Sequence, residues 1–129
     1  MATTRGRLVQ INQVILDQAD FFEVDGYTRV TGLTPADLVC KVYFNNVLQS
    51  WAFVDGSSTT DAQTRAGSVY WCEVPNSPGI YSVRFRPNVV GYWRLLISYP
   101  VGIQTIAQDF DIVPQYPLTD SGLLASFTR

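Results

Sequence analysis

The segment "PGIYSVRFRPNVVGYWRLLISYP", residues 78–100, decides the fold prediction. It contains two runs in which large apolar side chains alternate with other residues, separated by a corner at residues 87–91. A period of two is typical of β-strands with one buried face. The apolar positions are Tyr81, Val83, Phe85, Trp93, Leu95 and Ile97. The pattern predicts an antiparallel hairpin that buries these six side chains and places Arg84 opposite Arg94 on the solvated face.

The next run, "IQTIAQDFDIV" at residues 103–113, extends the predicted sheet. With a turn over residues 100–103, Arg94 lies opposite Asp109, between that carboxylate and Arg84. The same register pairs Trp93 with Phe110, Ile97 with Ile106, and Tyr92 with Asp111. The charges then form a ladder on a solvated face, which contributes little net stability. Arg84 and Arg86 remain candidates for binding an acidic or backbone-carbonyl partner.

Short alternating runs separated by Gly, Pro and Asn recur along the rest of the chain, as is typical of an all-β sandwich or barrel. Strands are predicted at 7–15, 27–32, 37–44, 47–54, 68–74, 80–86, 92–99 and 104–113. Asn45 and Asn46 predict a two-residue hairpin turn, because Asn tolerates positive φ. Residues 55–67 are polar and predict a long loop. The run at 14–22 fits either a helical turn or a strand and loop.

Composition excludes several classes of site. Charged residues make up 16% of the chain, below the roughly 25% of typical soluble domains. The surface is therefore either partly covered by a partner or rich in uncharged polar side chains. The net charge is −2, and Lys41 and the arginines form no basic run, which argues against nucleic-acid binding. The absence of histidine excludes Ser-His-Asp and Cys-His nucleophiles and His-ligated metals.

Cys40 and Cys72 are the two cysteines, and neither belongs to a CxxC pair. This spacing excludes a zinc ribbon and a thioredoxin-like site. The sequence shows no signal peptide and no apolar segment of membrane-spanning length. We therefore expect folding in a reducing cytoplasm, with both cysteines as buried thiols. Both share parity with apolar neighbours, so a contact between them stays open.

Two groups of carboxylates are candidates for a metal or hydrolytic site. The first group lacks EF-hand spacing and predicts a solvated loop; it comprises Asp17, Asp20, Glu23 and Asp25. Asp109 and Asp111 alternate on one strand face, but a paired-carboxylate hydrolase needs one desolvated carboxyl. Their expected neighbours, Arg94 and Tyr92, favour a structural role. No catalytic, cofactor-binding or metal-binding residue is predicted.

The predicted partner-binding residues lie on the strands and in the C-terminal tail. Trp71 shares parity with Val69 and Glu73 and is expected to face outward, where it would anchor a protein interface or stack on a glycan. Residues 114–129 carry two prolines and no strand pattern. Their apolar side chains need a surface, either on this domain or on a neighbouring subunit. With Arg84 and Arg86, the candidates are Leu118, Leu123, Leu124 and Phe127.

The pattern Gly79-x-Tyr81-x-Val83-x-Phe85-x-Pro87-x-x-x-Gly91-x-Trp93-x-Leu95, followed by "DFDIV", resembles the last strands of immunoglobulin-like domains of bacterial or phage type. The resemblance covers residues 78–113 and implies two packed β-sheets. Cys40 and Cys72 depart from the antibody pattern, because they do not flank a Trp in the expected order. The chain as a whole resembles small tailed-phage virion proteins, which implies a place in a head, neck, tail or baseplate.

The sequence thus predicts an all-β, antiparallel immunoglobulin-like β-sandwich with an N-terminal extension and an extended C-terminal tail. Residues 1–18 would be the extension or first strand, 19–113 the sandwich and 114–129 the arm. The expected function is that of a non-enzymatic virion structural protein, made and folded in the host cytoplasm. It would bind other virion proteins and copies of itself, with no cofactor, nucleic acid or membrane. The alternatives are a carbohydrate- or cell-surface-binding module and, more remotely, a carboxylate-dependent hydrolase.

Overall fold

The computed structural model describes residues 7–114, which form nine β-strands in two sheets. The strands are β1 (Arg7–Gln10), β2 (Ile15–Ala19), β3 (Val39–Phe44), β4 (Val47–Gln49), β5 (Ala52–Asp55), β6 (Ser68–Glu73), β7 (Tyr81–Phe85), β8 (Gly91–Tyr99) and β9 (Gln104–Val113). Two 3₁₀ helices, Pro35–Asp37 and Asp61–Gln63, lie in the connections. Over these 7–114 positions, no helix is long and apolar enough to cross a bilayer. The all-β fold class is confirmed.

Both sheets are mixed. The first has the strand order β1-β9-β8-β3-β4 and the second has the order β2-β7-β6-β5. Most neighbours are antiparallel, but β1 runs parallel to β9 and β5 runs parallel to β6. The prediction of purely antiparallel sheets is therefore wrong at these two pairs. Parallel and antiparallel strands share the same side-chain alternation, so the sequence pattern does not distinguish them.

The two sheets contribute to a single apolar core. The ring of Phe85 in the second sheet lies 5.2 Å from the ring of Phe110 in the first. The predicted core side chains all belong to this cluster, and Ile106 is the one that is only partly buried: Tyr81, Val83, Phe85, Trp93, Leu95, Ile97, Ile106 and Phe110. All eight side chains therefore belong to the core, but the prediction that they share one face of adjoining antiparallel strands is wrong, because Tyr81, Val83 and Phe85 lie in the second sheet.

The predicted hairpin between residues 80–86 and 92–99 is wrong. Strand β7 pairs with β2 and β6, whereas β8 pairs with β3 and β9, so the two strands lie in different sheets. The corner between them crosses from one sheet to the other around the fully buried Pro87. Two amphipathic strands bury the same faces whether they lie side by side or opposite each other. Periodicity therefore identified the buried side chains but not the pairing.

The predicted turn over residues 100–103 and its register are confirmed. Strand β8 ends at Tyr99 and β9 begins at Gln104. The expected partners face each other, namely Trp93 and Phe110, Ile97 and Ile106, Arg94 and Asp109, and Tyr92 and Asp111. The Asn45-Asn46 turn is also confirmed, with φ angles of 48° and 68° between β3 and β4.

Other predicted strands are shorter or missing. The run at 7–15 is broken by a turn at Asn12, whose φ is 66°. Residues 47–54 form two strands instead of one, and residues 14–22 contain β2 and no helix. Residues 27–32 form a loop with one isolated bridge, between Phe22 and Arg29. Polar residues and glycines in this loop interrupt the side-chain alternation that a strand requires.

Cys40 and Cys72 are both free thiols and both half-buried. Burial raises the pKa of the Cys40 thiol to about 12, because desolvation disfavours the thiolate. The protonated thiol packs against the core as a small apolar group. This agrees with the expectation of unpaired cysteines.

Candidate docking surface

Arg84 holds a loop of its own chain. The sequence placed it on a solvated face opposite Arg94, but it is 6% exposed and lies in the other sheet. Its Nη2 donates to Gly56 O (2.9 Å) and to the hydroxyl of Thr59 (2.7 Å), and its Nη1 lies 3.4 Å from Asp61 Oδ1. The loop after β5 therefore covers the outer face of β7. The prediction of Arg84 as an exposed binding residue is wrong, since side-chain alternation does not show which outer face a loop covers.

The other two arginines of the opening segment also have partners within the chain. Arg86 donates from Nε to the backbone carbonyl of Asn12, at 2.9 Å. Arg94 is exposed and pairs with Asp109 at 2.7 Å, as the register predicted. The hydrogen bond and charge of Asp109 raise the pKa of Arg94. Arg86 thus has the predicted type of partner, a backbone carbonyl, but within its own domain.

Trp71 is 1% exposed, so the expectation that it faces outward is wrong. Its ring stacks on Tyr81 at 4.6 Å, and its Nε1 donates to Leu33 O at 3.0 Å. The Tyr81 hydroxyl accepts from Leu33 N and donates to Val30 O. The prediction failed because it took Glu73, which shares a face with Trp71, as a sign that this face is exposed. Glu73 lies at the end of the strand, where its carboxylate accepts a hydrogen bond from Gly79 N at 2.8 Å. Trp71 and Tyr81 together fix the connection between β2 and β3.

The tail candidates Leu118, Leu123, Leu124 and Phe127 lie outside the described residues, as do residues 115–129 of the predicted arm. Their assignment stays a prediction.

The carboxylates occupy separate interactions. Asp17, in β2 and not in a loop, pairs with Arg7 at 3.1 Å, and Asp20 pairs with Arg29 at 3.2 Å. Hydrogen bonds from the Thr28 hydroxyl and amide and from the Tyr27 amide lower the pKa of Asp25 below its usual value. In the part of the chain that the structure covers, no group of three or more Asp, Glu and Cys side chains is placed to hold a metal ion.

Among the described residues, the most exposed of the large apolar side chains lie on two adjacent loops, and the sequence prediction did not identify them. Each is at least 79% exposed. They come from the 22–28 loop and the 100–103 turn and are called the loop tip: Val24, Tyr27, Val101 and Ile103. The signal was present in the sequence, because "VGI" places two β-branched apolar residues in a hairpin turn where polar residues are usual. Apolar side chains exposed together in this way point to a contact surface.

Hydrogen bonds hold the two loops together. The Gln104 side chain accepts from Phe22 N at 2.9 Å and donates to Phe22 O. Asp25 accepts from the amides of Tyr27 and Thr28 at 2.9 and 2.8 Å, which closes the turn behind Val24. A preorganised loop loses less conformational entropy when it binds.

Ile103 has a strained backbone. Its φ is 53°, a left-handed conformation that Gly and Asn adopt readily and that β-branched residues rarely adopt. The side chain is almost fully exposed, so packing within the domain does not offset this strain. Backbone strain of this kind is often found at functional sites. An apolar side chain retained at this cost is therefore a candidate contact residue.

We expect Ile103→Gly to leave the free energy of unfolding unchanged or to raise it by about 1 kcal/mol. The substitution removes a left-handed penalty of roughly 1–2 kcal/mol, and the greater freedom of glycine in the unfolded chain offsets part of the gain. Urea denaturation of the variant and the wild type measures the difference. A loss of more than about 1 kcal/mol would show that Ile103 stabilises the fold.

Two concave surfaces flank the 100–103 turn. The upper cleft, of about 380 Å³, is lined by residues that include Phe22, Glu23 and Val24. The outer groove, of about 430 Å³, lies on the solvated face of the first sheet and is lined by residues that include Val39, Lys41, Tyr43 and Leu96. Tyr99, Ile103 and Gln104 line both. The loop tip and the outer groove thus form one continuous surface, apolar with few charges, that suits a protein contact better than catalysis.

The sequence of the chain matches no protein-family model, and a search of curated proteins finds no match either.

Proposed function

We propose that this chain is a non-enzymatic structural protein of a tailed-phage virion, built on an immunoglobulin-like domain. It docks on a symmetric assembly through protein–protein contacts, as a head-decoration, neck, tail or baseplate component. It is made and folded in the host cytoplasm and then resides in the virion. Its partners are other virion proteins and further copies of itself.

The strand order supports the immunoglobulin-like part of this proposal. The nine strands, lettered A, B, C, C′, C″, D, E, F and G in chain order, give one sheet A-G-F-C-C′ and another B-E-D-C″. Variable-type immunoglobulin domains share the groups G-F-C-C′ and B-E-D. The chain departs from that arrangement because β1 pairs with β9 and β5 pairs with β6. Both departures concern edge strands, which are the most variable positions of such a sheet.

The loop tip carries the docking part of the proposal. Four apolar side chains project from loops that are fixed by hydrogen bonds, and one of them keeps a strained backbone. Burying an exposed Ile or Val side chain in an interface contributes about 1.5–3 kcal/mol. Several such contacts, repeated by symmetry, make a weak surface effective in a multi-copy assembly.

The carbohydrate-binding alternative has lost its main support. It rested on Trp71 facing outward, but Trp71 is buried in the core, and Trp93 is buried as predicted. Trp51 is half-buried, with its ring 5.3 Å from that of Trp93 and 6.3 Å from that of Phe85. Sugar stacking requires an exposed aromatic face, and these three rings are engaged within the domain.

Quantitative mass spectrometry of purified phage particles tests the proposal. We expect the wild-type chain at a constant number of copies per particle. Ile103→Gly should reduce its occupancy roughly tenfold or more, because about 1.5–3 kcal/mol of contact burial is lost. Leu16→Ser is the matched control, since Leu16 is an apolar residue that is 55% exposed on β2, in the other sheet. Particles without the wild-type chain would refute the proposal.

A further inference from the structure

We infer that two copies of this chain pair through the loop tip, the knob formed by Glu23 and Val24 of each copy binding in the outer groove of the other. The inference deepens the proposed function, since it rests on the loop tip as a docking surface and names the partner as a second copy. It is carried by the charges on the two sides of the 100–103 turn and by their arrangement around Ile103.

The outer groove carries one unpaired cation. Lys41, the single lysine of the chain, is exposed on β3 and lines the groove. Among residues 7–114 it forms no ion pair, and the lining residues of the groove include no Asp or Glu. Val39 and Leu96 provide apolar surface on either side of it. The groove therefore suits a segment in which a carboxylate adjoins an apolar side chain.

The knob presents that combination. Asp20 pairs with Arg29, and Asp25 is hydrogen-bonded within its own turn. Glu23 is exposed, and within the described part of the chain its carboxylate has no ion pair or hydrogen bond. The adjacent Val24 is fully exposed. The knob and the groove are thus complementary in charge, and both are apolar around that charge.

The arrangement of the two parts suits a two-fold axis. The cleft beside the knob and the outer groove share Tyr99, Ile103 and Gln104, so they lie on either side of one turn. A two-fold axis near Ile103 places each knob over the other copy's groove, so that the contact between knob and groove forms twice. The two Ile103 side chains then meet near the axis. This contact gives the strained, exposed isoleucine a role that the single chain lacks.

Charge exchange tests the pairing. Sedimentation equilibrium of the full chain should show a monomer–dimer equilibrium. Lys41→Glu and Glu23→Lys should each raise the dissociation constant of the dimer at least about tenfold, because each places like charges together. The double variant should restore it to within about threefold, since the pair is re-formed with its signs exchanged. Arg65→Glu is the matched control, as it makes the same charge change at an exposed side chain outside the surface.

Three outcomes would overturn the inference. These are a wild-type chain that stays monomeric up to about 1 mM, a double variant as weak as the single variants, and an Arg65→Glu variant as weak as Lys41→Glu. Binding of the loop tip to another virion protein in place of a second copy would produce the first of these. Such a result leaves the proposed function intact, because the presence of the chain in particles is measured separately. Conversely, particles without the chain would refute the virion role and leave the pairing measurable.

Discussion

Arg84→Ala should lower the free energy of unfolding by about 2–3 kcal/mol, although the sequence suggested a solvent-exposed arginine. The truncation removes buried hydrogen bonds from a charged donor to Gly56 O and to Thr59 Oγ1, and Gly56 O then keeps only the weaker neutral donors of Thr59, its amide and its hydroxyl. The pair with Asp61 adds little, because that carboxylate is 65% exposed and screened by solvent. The site is tightly packed: a Cβ on Gly56 would lie 3.0 Å from Arg84 Nη2.

Urea denaturation measures the loss, and limited proteolysis within residues 55–67 should become faster at the same time. Asp61→Asn is the control, and we expect it to change the free energy of unfolding by less than about 1 kcal/mol. If Arg84→Ala cost no more than this control, the loop would be held by other contacts.

Trp71→Ala should have the largest effect of any single substitution considered, a loss of about 3–5 kcal/mol. It removes the stack on Tyr81 and the hydrogen bond to Leu33 O, and it leaves a cavity beneath the connection from β2 to β3. Trp71→Phe is the graded control. It keeps most of the apolar burial and loses the hydrogen bond, at a cost of about 1–2 kcal/mol.

Thermal and urea denaturation measure both variants. A loss below about 1 kcal/mol for Trp71→Ala would mean that the side chain spends its time at the surface, as an interface anchor would. The substitution should also loosen the 22–28 loop, because Tyr81 and Trp71 hold residues 30–33 at its base. Hydrogen exchange at Tyr27 and Thr28 should therefore be faster in Trp71→Ala than in the wild type.

The core-facing apolar side chains of β7, β8 and β9 could be predicted from the sequence, because period-two alternation in strands determines which residues share a face. The pairing of β7 could not, since strands bury the same face whether they lie beside each other or opposite each other. The register of β8 and β9 could be predicted because a short turn ties them, and the Arg94–Asp109 pair follows from it. Where the chain crosses between sheets, as at Pro87, local pattern carries no information on pairing.

The candidate site was the less predictable part. Arg84 and Trp71 seemed exposed because alternation assigns a face without showing what covers it. The loop after β5 covers Arg84, and the connection from β2 to β3 covers Trp71 through Leu33. The loop tip was overlooked because strand periodicity does not describe loops. Turns usually consist of Gly, Pro, Asn, Asp and Ser, so an apolar β-branched residue in a turn, such as Ile103, is the feature that could have identified this surface.

The most direct test of the docking surface is sedimentation equilibrium of Ile103→Gly beside the wild type, with urea denaturation of the same samples. We expect the variant to keep or exceed wild-type stability and to lose self-association roughly tenfold or more, since the isoleucine burial at the two-fold axis is removed. Unchanged association in an equally stable variant would contradict the account. So would a variant that loses stability and association together, because Ile103 would then support the fold and not the contact.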